Sequence, residues 1–110
     1  MDDRSFRAEV TESPQEAWLS LSGDLNGRAD EILADAYARV SALGSPRLSL
    51  DFTRVGYINS TGIALVVRLL ADARRHGRSV RAIGLTEHYR EIFRITRLSD
   101  FMEIVEGDAA

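Results

Sequence analysis

The stretch "VGYINSTGIALVV", residues 55–67, decides how this chain folds. A short apolar run ends at Ile58, the polar tetrad Asn59-Ser60-Thr61-Gly62 follows, and a second apolar run starts at once. Asn, Ser and Thr are typical helix N-caps, because their side chains accept hydrogen bonds from the first free N–H groups of a helix. We therefore predict that a strand turns into a helix at residues 59–62, which we call the seam.

The segments on either side of the seam alternate between strand-like and helix-like patterns. The predicted strands cover residues 6–10, 17–22, 47–58, 79–84 and 101–105. Gly23-Asp24 is expected to stop the second strand, and the third weakens at residues 53–54. The predicted helices cover residues 29–43, with Asn26 as N-cap and Gly44 as stop, residues 63–75, and a third segment capped by Thr86.

This order predicts an α/β fold with a mixed sheet of about five strands and three or more helices. An opening antiparallel hairpin is followed by parallel βαβ crossovers. We expect one domain over residues 1–110, with residues 105–110 as a frayed tail. In such sheets functional groups collect where strands end and helices begin. The seam lies at such a point.

Composition excludes several classes of function. The 110 residues carry a net charge of −3 and include no cysteine, so disulfides and thiolate metal sites are excluded. No apolar run approaches the roughly 20 residues of a membrane span. We expect a cytoplasmic protein that uses no cofactor, does not insert into membranes and does not bind nucleic acid.

An enzymatic interpretation has little support. Ser60, His76, His88 and Asp51 supply the residue types of a catalytic triad, but no nucleophile signature surrounds the serine. The two histidines have no partner at metal-ligand spacing, so we expect neither catalytic residues nor a metal site. An arginine-rich stretch around the end of the second helix is interpreted as a solvated helix end, with docking of an acidic partner left open; it comprises Arg68, Arg74, Arg75, Arg78 and Arg81.

The seam has two interpretations. The simple one is helix capping inside a well-buried helix. In the other, Asn59 caps the helix and the Ser60 hydroxyl points outward, where a phosphate would meet the positive end of the helix. Gly62 would then let a partner approach the backbone, and Leu65 and Leu69, if exposed, would form an apolar docking patch beside Ser60.

Three motifs carry a resemblance to a known family. The run "LDFTRVGYINSTGIALVVRLL" resembles the signature of STAS domains, especially bacterial anti-sigma factor antagonists, in Asp51-Phe52, Val55 and Ser60-Thr61-Gly62. "LSGDLN", residues 21–26, resembles the family's Gly-Glu-Leu-Asp loop. "EIFRITRLSDFMEIV" resembles its closing helix and strand.

The resemblance implies a partner-switching protein. Such an antagonist binds an anti-sigma factor that is also a serine kinase; phosphorylation breaks the complex and a phosphatase restores it. Ser60 is the implied phosphoacceptor, with Thr61 as second choice, and a dimer or larger assembly is left open. The expected docking residues are Asp24, Asn26, Asn59, Ser60, Thr61, Gly62, Leu65 and Leu69.

Two positions depart from the family's pattern. Asn59 and Asn26 stand where the family has aspartate, so two carboxylates near the proposed phosphorylation site have become amides. The change lowers repulsion of a phosphate but also alters what a kinase would recognise. The alternative is therefore a scaffold or transport-associated STAS subunit that is not phosphorylated.

Overall fold

In the computed structural model, residues 4–106 are described, and they form one five-stranded sheet with three α-helices. The strand order is β1-β2-β3-β4-β5; β1 pairs antiparallel with β2, and all other pairs are parallel. The elements are β1 Arg7–Glu12, β2 Glu16–Leu25, α1 Asp30–Leu43, β3 Arg47–Ile58, α2 Ser60–Arg75, β4 Ser79–Ile83, α3 Glu87–Ile95 and β5 Glu103–Ile104. The predicted fold class is confirmed.

The helices cover only one face of the sheet. Each parallel strand is added next to the previous one, and right-handed crossovers then place every connecting helix on the same side. Along β2 and β3, Leu19 and Leu50 are buried on the helix side, whereas Ser20 is exposed and Asp51 half-buried on the other. The second face of the sheet is therefore polar and open, although parallel sheets are usually covered on both faces.

The core lies between this sheet and the helices. Phe93 of α3 is fully buried and meets Phe52 of β3 edge to face, with 5.9 Å between the ring centroids. Val40 of α1 and Val66 of α2 are also buried. As predicted, α1 ends at Gly44, whose φ of +77° suits a residue without a side chain.

The second strand runs past its predicted stop. Gly23 adopts φ +85° within β2 rather than ending it, and the pairing of β2 with β3 shifts register between Gly23, opposite Val55, and Asp24, opposite Tyr57. The extra residue of this bulge is Gly56 on β3, and on the other edge of β2 the Asp24 amide donates to Arg4 O at 2.9 Å. The strand therefore carries Asp24 and Leu25 up to the seam.

The C-terminal strand is shorter than predicted. Residues Leu98–Asp100 form a 3₁₀ turn after Arg97, whose φ is +65°, so β5 keeps only two residues. At residues 105 and 106, where fraying stays a prediction, Val105 N donates to Ala82 O at 2.9 Å, and Glu106 pairs with Arg94. The rest of the predicted tail lies outside the described residues.

Candidate docking site at the start of the second helix

The seam forms the first turn of α2, which begins at Ser60 and not at residue 63 as predicted. Asn59 is the N-cap, as expected: its backbone is extended, and its Oδ1 accepts a hydrogen bond of 2.8 Å from Gly62 N. Ile63 N donates to Asn59 O at 3.0 Å and starts the helical ladder. One amide side chain thus performs the capping.

The Ser60 hydroxyl is not used by the fold. Ser60 is exposed at the first helical position, and within residues 4–106 its Oγ makes no hydrogen bond. Thr61 is also exposed; its Cγ2 would lie 3.5 Å from a Cβ placed on Gly27, so the turn after β2 approaches it. Free N–H groups in a first helical turn add positive potential. Both hydroxyls are accessible at that positive end.

Gly62 contacts this chain's own backbone. It is buried, and a Cβ at this position would overlap the carbonyl oxygen of Leu25 and lie 2.8 Å from its carbonyl carbon. Asn59 N also donates to Leu25 O, at 3.2 Å. The expectation that Gly62 admits a partner is therefore wrong: the missing side chain lets α2 start directly against the end of β2.

Leu65 and Leu69 are buried, with exposed fractions of 9% and 4%, so the expected apolar patch at these residues is wrong. Both line the groove between α2 and α1 beside Leu33 and Tyr37. Helix α1 packs against α2 on the side that carries both leucines. The exposed side of α2 that continues from Ser60 carries small apolar residues, which we call the outer stripe: Ala64, Val67 and Ala71.

The outer stripe is the apolar surface that the sequence analysis missed. Val67 is 46% exposed, and Ala64 and Ala71 lie one turn before and after it. The spacing of four, seven and eleven residues from Ser60 places them on one side of the helix. That spacing was the signal available in the sequence.

The end of β2 brings the other predicted residues to the seam. Asp24 and Leu25 pair in register with Tyr57 and Ile58, so the carboxylate of Asp24, which is half-buried, lies one strand away from the seam. Asn26 caps a single 3₁₀ turn, Gly27–Ala29, by accepting from Arg28 N at 3.0 Å, and that turn runs into α1. The candidate surface therefore combines the end of β2, the seam and the outer stripe.

Tyr57 is a further member that sequence reasoning did not single out. Its side chain is 54% exposed beside Asp24, although it lies in a strand of the sheet. An exposed tyrosine offers a large apolar ring and a polar hydroxyl, a combination enriched at protein interfaces. Tyr57 therefore adds an exposed aromatic group beside Asp24, at the end of the sheet that carries the seam.

The residue types of a triad do not converge on Ser60. Asp51 accepts from Thr53 N at 2.9 Å, and His76 is bonded to Tyr37 at the far end of α2. Across residues 4–106 no three His, Asp or Glu side chains come together as a metal-binding group would require. Nor does any helix in that part of the chain have the length and apolar character to cross a membrane.

Comparisons with known proteins agree on one family. A family model described as "Mlab, STAS domain" matches residues 8–106. The anti-sigma-B factor antagonist of Listeria monocytogenes is 36% identical over 63 residues, which are 56% of this chain and 55% of the relative; the match thus spans about half of that protein. The antagonist of Staphylococcus epidermidis is 25% identical over 89 residues, covering 81% of this chain and 82% of the relative.

Solved structures have the same fold. An anti-sigma factor antagonist from Mycobacterium paratuberculosis superposes with a TM-score of 0.75 and 20% identity, covering 96% of this chain and 90% of that one. The anti-sigma factor antagonist SpoIIAA in its unphosphorylated form gives a TM-score of 0.71 and 15% identity over 94% and 89% of the two chains. At these identities the similarity concerns the fold.

Proposed function

We propose, from the premise that this chain belongs to the STAS domain family, that it is an anti-sigma factor antagonist whose docking is controlled by phosphorylation of Ser60. One observation carries the proposal: the Ser60 hydroxyl is exposed at the start of α2 and takes no part in the hydrogen bonding of residues 4–106. A modification there would change the surface while leaving the fold intact. Thr61 is the second choice.

The proposed docking surface consists of the loop at the end of β2, the seam and the outer stripe. Asp24, Asn26, Asn59 and the two hydroxyls give polar groups that fix orientation. The small side chains of the outer stripe let a partner's backbone come close to α2, and Tyr57 supplies an aromatic contact at the rim. We propose a protein partner: an anti-sigma factor that is also the serine kinase.

The switch would work through charge. A phosphate on Ser60 carries about −1.5 to −2 charges at neutral pH. In the free protein, water and the positive end of α2 stabilise it; in a complex it would have to be desolvated against apolar groups. Both effects favour the free, phosphorylated form, and a phosphatase would restore binding. Asn26 and Asn59 add no negative charge that would oppose the phosphate.

We propose no role as an enzyme, because Asp51 and His76 are bonded elsewhere, the His88 ring lies against that of Tyr89, and no side chain of residues 4–106 is hydrogen-bonded to the Ser60 hydroxyl. We propose that the protein works in the cytoplasm as a protein-binding regulator without a cofactor and without contacting nucleic acid. Dimerisation or a larger assembly stays a prediction.

The test uses the anti-sigma factor kinase of the source cell with ATP, followed by mass spectrometry of the chain. We expect a phosphate on Ser60 and none on Ser60→Ala. Ser60→Asp should weaken binding of the partner more than about tenfold, a coupling of about 1.4 kcal/mol. Ser20→Asp is the matched control, because Ser20 is also exposed but lies on the open face of the sheet; the affinity of this variant for the partner should stay that of the wild type.

The alternative is the unphosphorylated scaffold subunit, which the two amides at positions 26 and 59 favour. It predicts no phosphate on Ser60 or Thr61, together with full binding of a protein partner by Ser60→Asp. That pair of results would overturn the phosphorylation switch while leaving docking at this surface in place.

A further inference from the structure

Among the described residues, the last part of β3 is paired with a strand on one edge only. The pairing of β3 with β2 continues to Ile58, whereas its pairing with β4 ends at Asp51, opposite Ile83. The chain then leaves β4 through Gly84, where a Cβ would lie 2.8 Å from the backbone nitrogen of Thr53. Residues 52–58 therefore approach the seam with one edge that no strand within residues 4–106 covers.

Helix α3 occupies that uncovered edge. Successive N–H groups of a strand point to opposite edges, and Asn59 N donates toward β2, to Leu25 O. Ile58 N points the other way, where the hydroxyl of Tyr89 accepts its hydrogen bond at 3.0 Å. Four residues further along α3, Phe93 packs on Phe52. The phenol oxygen of Tyr89 thus takes the place of a strand acceptor at Ile58 N, and Phe93 anchors the same face of α3 in the core.

Tyr89 itself is held in place. Thr86 Oγ1 accepts from Tyr89 N at 3.3 Å at the start of α3, and the half-buried ring of Tyr89 packs against the core. A buried N–H without an acceptor is costly, so the hydroxyl constrains where the end of β3 can lie. Ile58 directly precedes the N-cap Asn59, and Ser60 follows one residue later.

We propose that Tyr89 is a positioning residue of the switch: its hydroxyl and the Leu25 carbonyl clamp the two residues before Ser60 from opposite sides. The clamp sets the direction in which α2 leaves the sheet, and with it the angle at which Ser60 and the outer stripe meet a partner. The consequence for docking rests on the proposed function, whereas the clamp itself does not. It also connects α3 to the site.

The experiment compares Tyr89→Phe with Tyr37→Phe, which removes a hydroxyl that bonds at the other end of α2. Amide hydrogen exchange is followed by NMR on the whole chain, without any partner. In Tyr89→Phe we expect the Ile58 amide to exchange about tenfold faster, and the Ile63 amide in the first turn of α2 severalfold faster. Tyr37→Phe should leave both amides at the wild-type rate, even if its melting temperature falls further.

The outcomes separate the proposals. Unchanged exchange at Ile58 would show that the hydroxyl contributes nothing, and acceleration at Ile58 without Ile63 would show that the bond does not position α2; either result overturns the clamp. If Tyr37→Phe accelerated exchange at both amides as much as Tyr89→Phe does, the cause would be a general loss of stability, and the clamp would also be overturned. Where the clamp is supported, Tyr89→Phe should weaken binding of the kinase partner about threefold to tenfold. If Ser60→Asp has no effect on that partner, the switch fails and the exchange result stands.

Discussion

The two ends of α2 treat their polar groups in opposite ways. At the N-terminal end a single amide, Asn59, caps the helix, and the hydroxyls of Ser60 and Thr61 stay exposed. At the C-terminal end the phenol of Tyr37 bonds His76 Nδ1 at 2.9 Å and accepts from Arg78 Nη1 at 2.9 Å. Arg78 is only 8% exposed, and its Nε donates to Ser45 O at 2.7 Å.

The contrast separates stability from recognition. A buried guanidinium is tolerated at the C-terminal end because acceptors satisfy it and the Tyr37 ring lies 5.7 Å from its central carbon. Tyr37 and Arg78 are bonded within the fold at that end, whereas the hydroxyls of Ser60 and Thr61 are exposed at the N-terminal end. Substitutions at the C-terminal end should therefore change folding, and substitutions of exposed groups at the N-terminal end should change binding.

The largest effect is expected at Gly62, which lies at the N-terminal end of α2 but is buried, so its substitution should change folding. Gly62→Ala would place a methyl group on the Leu25 carbonyl, so α2 would have to move away from β2. We expect a loss of about 3 kcal/mol or more in the free energy of unfolding, measured by urea denaturation, because rigid backbone cannot relax as a side chain can.

Gly27→Ala is the matched control for this change. Gly27 lies in the turn that approaches Thr61, but a Cβ there would meet only the Thr61 methyl group at 3.5 Å, an ordinary contact. Its unfolding free energy should stay within about 0.5 kcal/mol of the wild type. Equal stability of both variants would contradict the close packing of the seam on β2.

A smaller loss is expected at the C-terminal end. Arg78→Met keeps much of the side-chain volume but leaves Ser45 O and the Tyr37 hydroxyl without their donor. We expect the unfolding free energy to fall by about 1–3 kcal/mol, with the partner's affinity unchanged. Calorimetry and a binding titration on the same samples measure both. Arg39→Met, on the exposed side of α1, should alter neither quantity. A weakened complex in Arg78→Met would contradict the expectation that the C-terminal end of α2 affects folding and not binding.

Local signals in the sequence were sufficient for much of this architecture. The caps Asn59 and Thr86 and the stop at Gly44 were predicted because each acts within a few residues of chain. The order of strands and helices then determined the parallel crossovers. The positions of Asp24, Asn26 and the seam at one end of the sheet follow from that order.

The errors concern neighbours that no local pattern reveals. Leu65 and Leu69 were expected on the surface because α2 is apolar on more than one side, and only the presence of α1 decides which side is buried. Arg78 was grouped with solvated arginines, although its acceptors come from residues 33 and 41 positions earlier in the chain. Gly23 was expected to end β2, but a glycine at positive φ is typical both of a strand end and of a bulge within a strand.

The smallest effect lies outside both ends of α2, on the open face of the sheet, and concerns pH. The Ser49 hydroxyl donates to Glu16 at 2.7 Å and, with Arg81 at 3.0 Å, holds the pKa of that carboxyl below its ordinary value against the opposing effect of burial. A lowered folded-state pKa gives stability that is fully present above the ordinary glutamate pKa of about 4.3 and is lost as pH falls through the lowered value.

Glu16→Gln should therefore lose less than about 1 kcal/mol of unfolding free energy at pH 7 and show a flatter decline in unfolding free energy on acidification. Glu9→Gln, an exposed neighbour without an ion pair among residues 4–106, should keep the wild-type slope. If Glu16→Gln declined as steeply as the wild type, the acid sensitivity would have to come from another carboxylate.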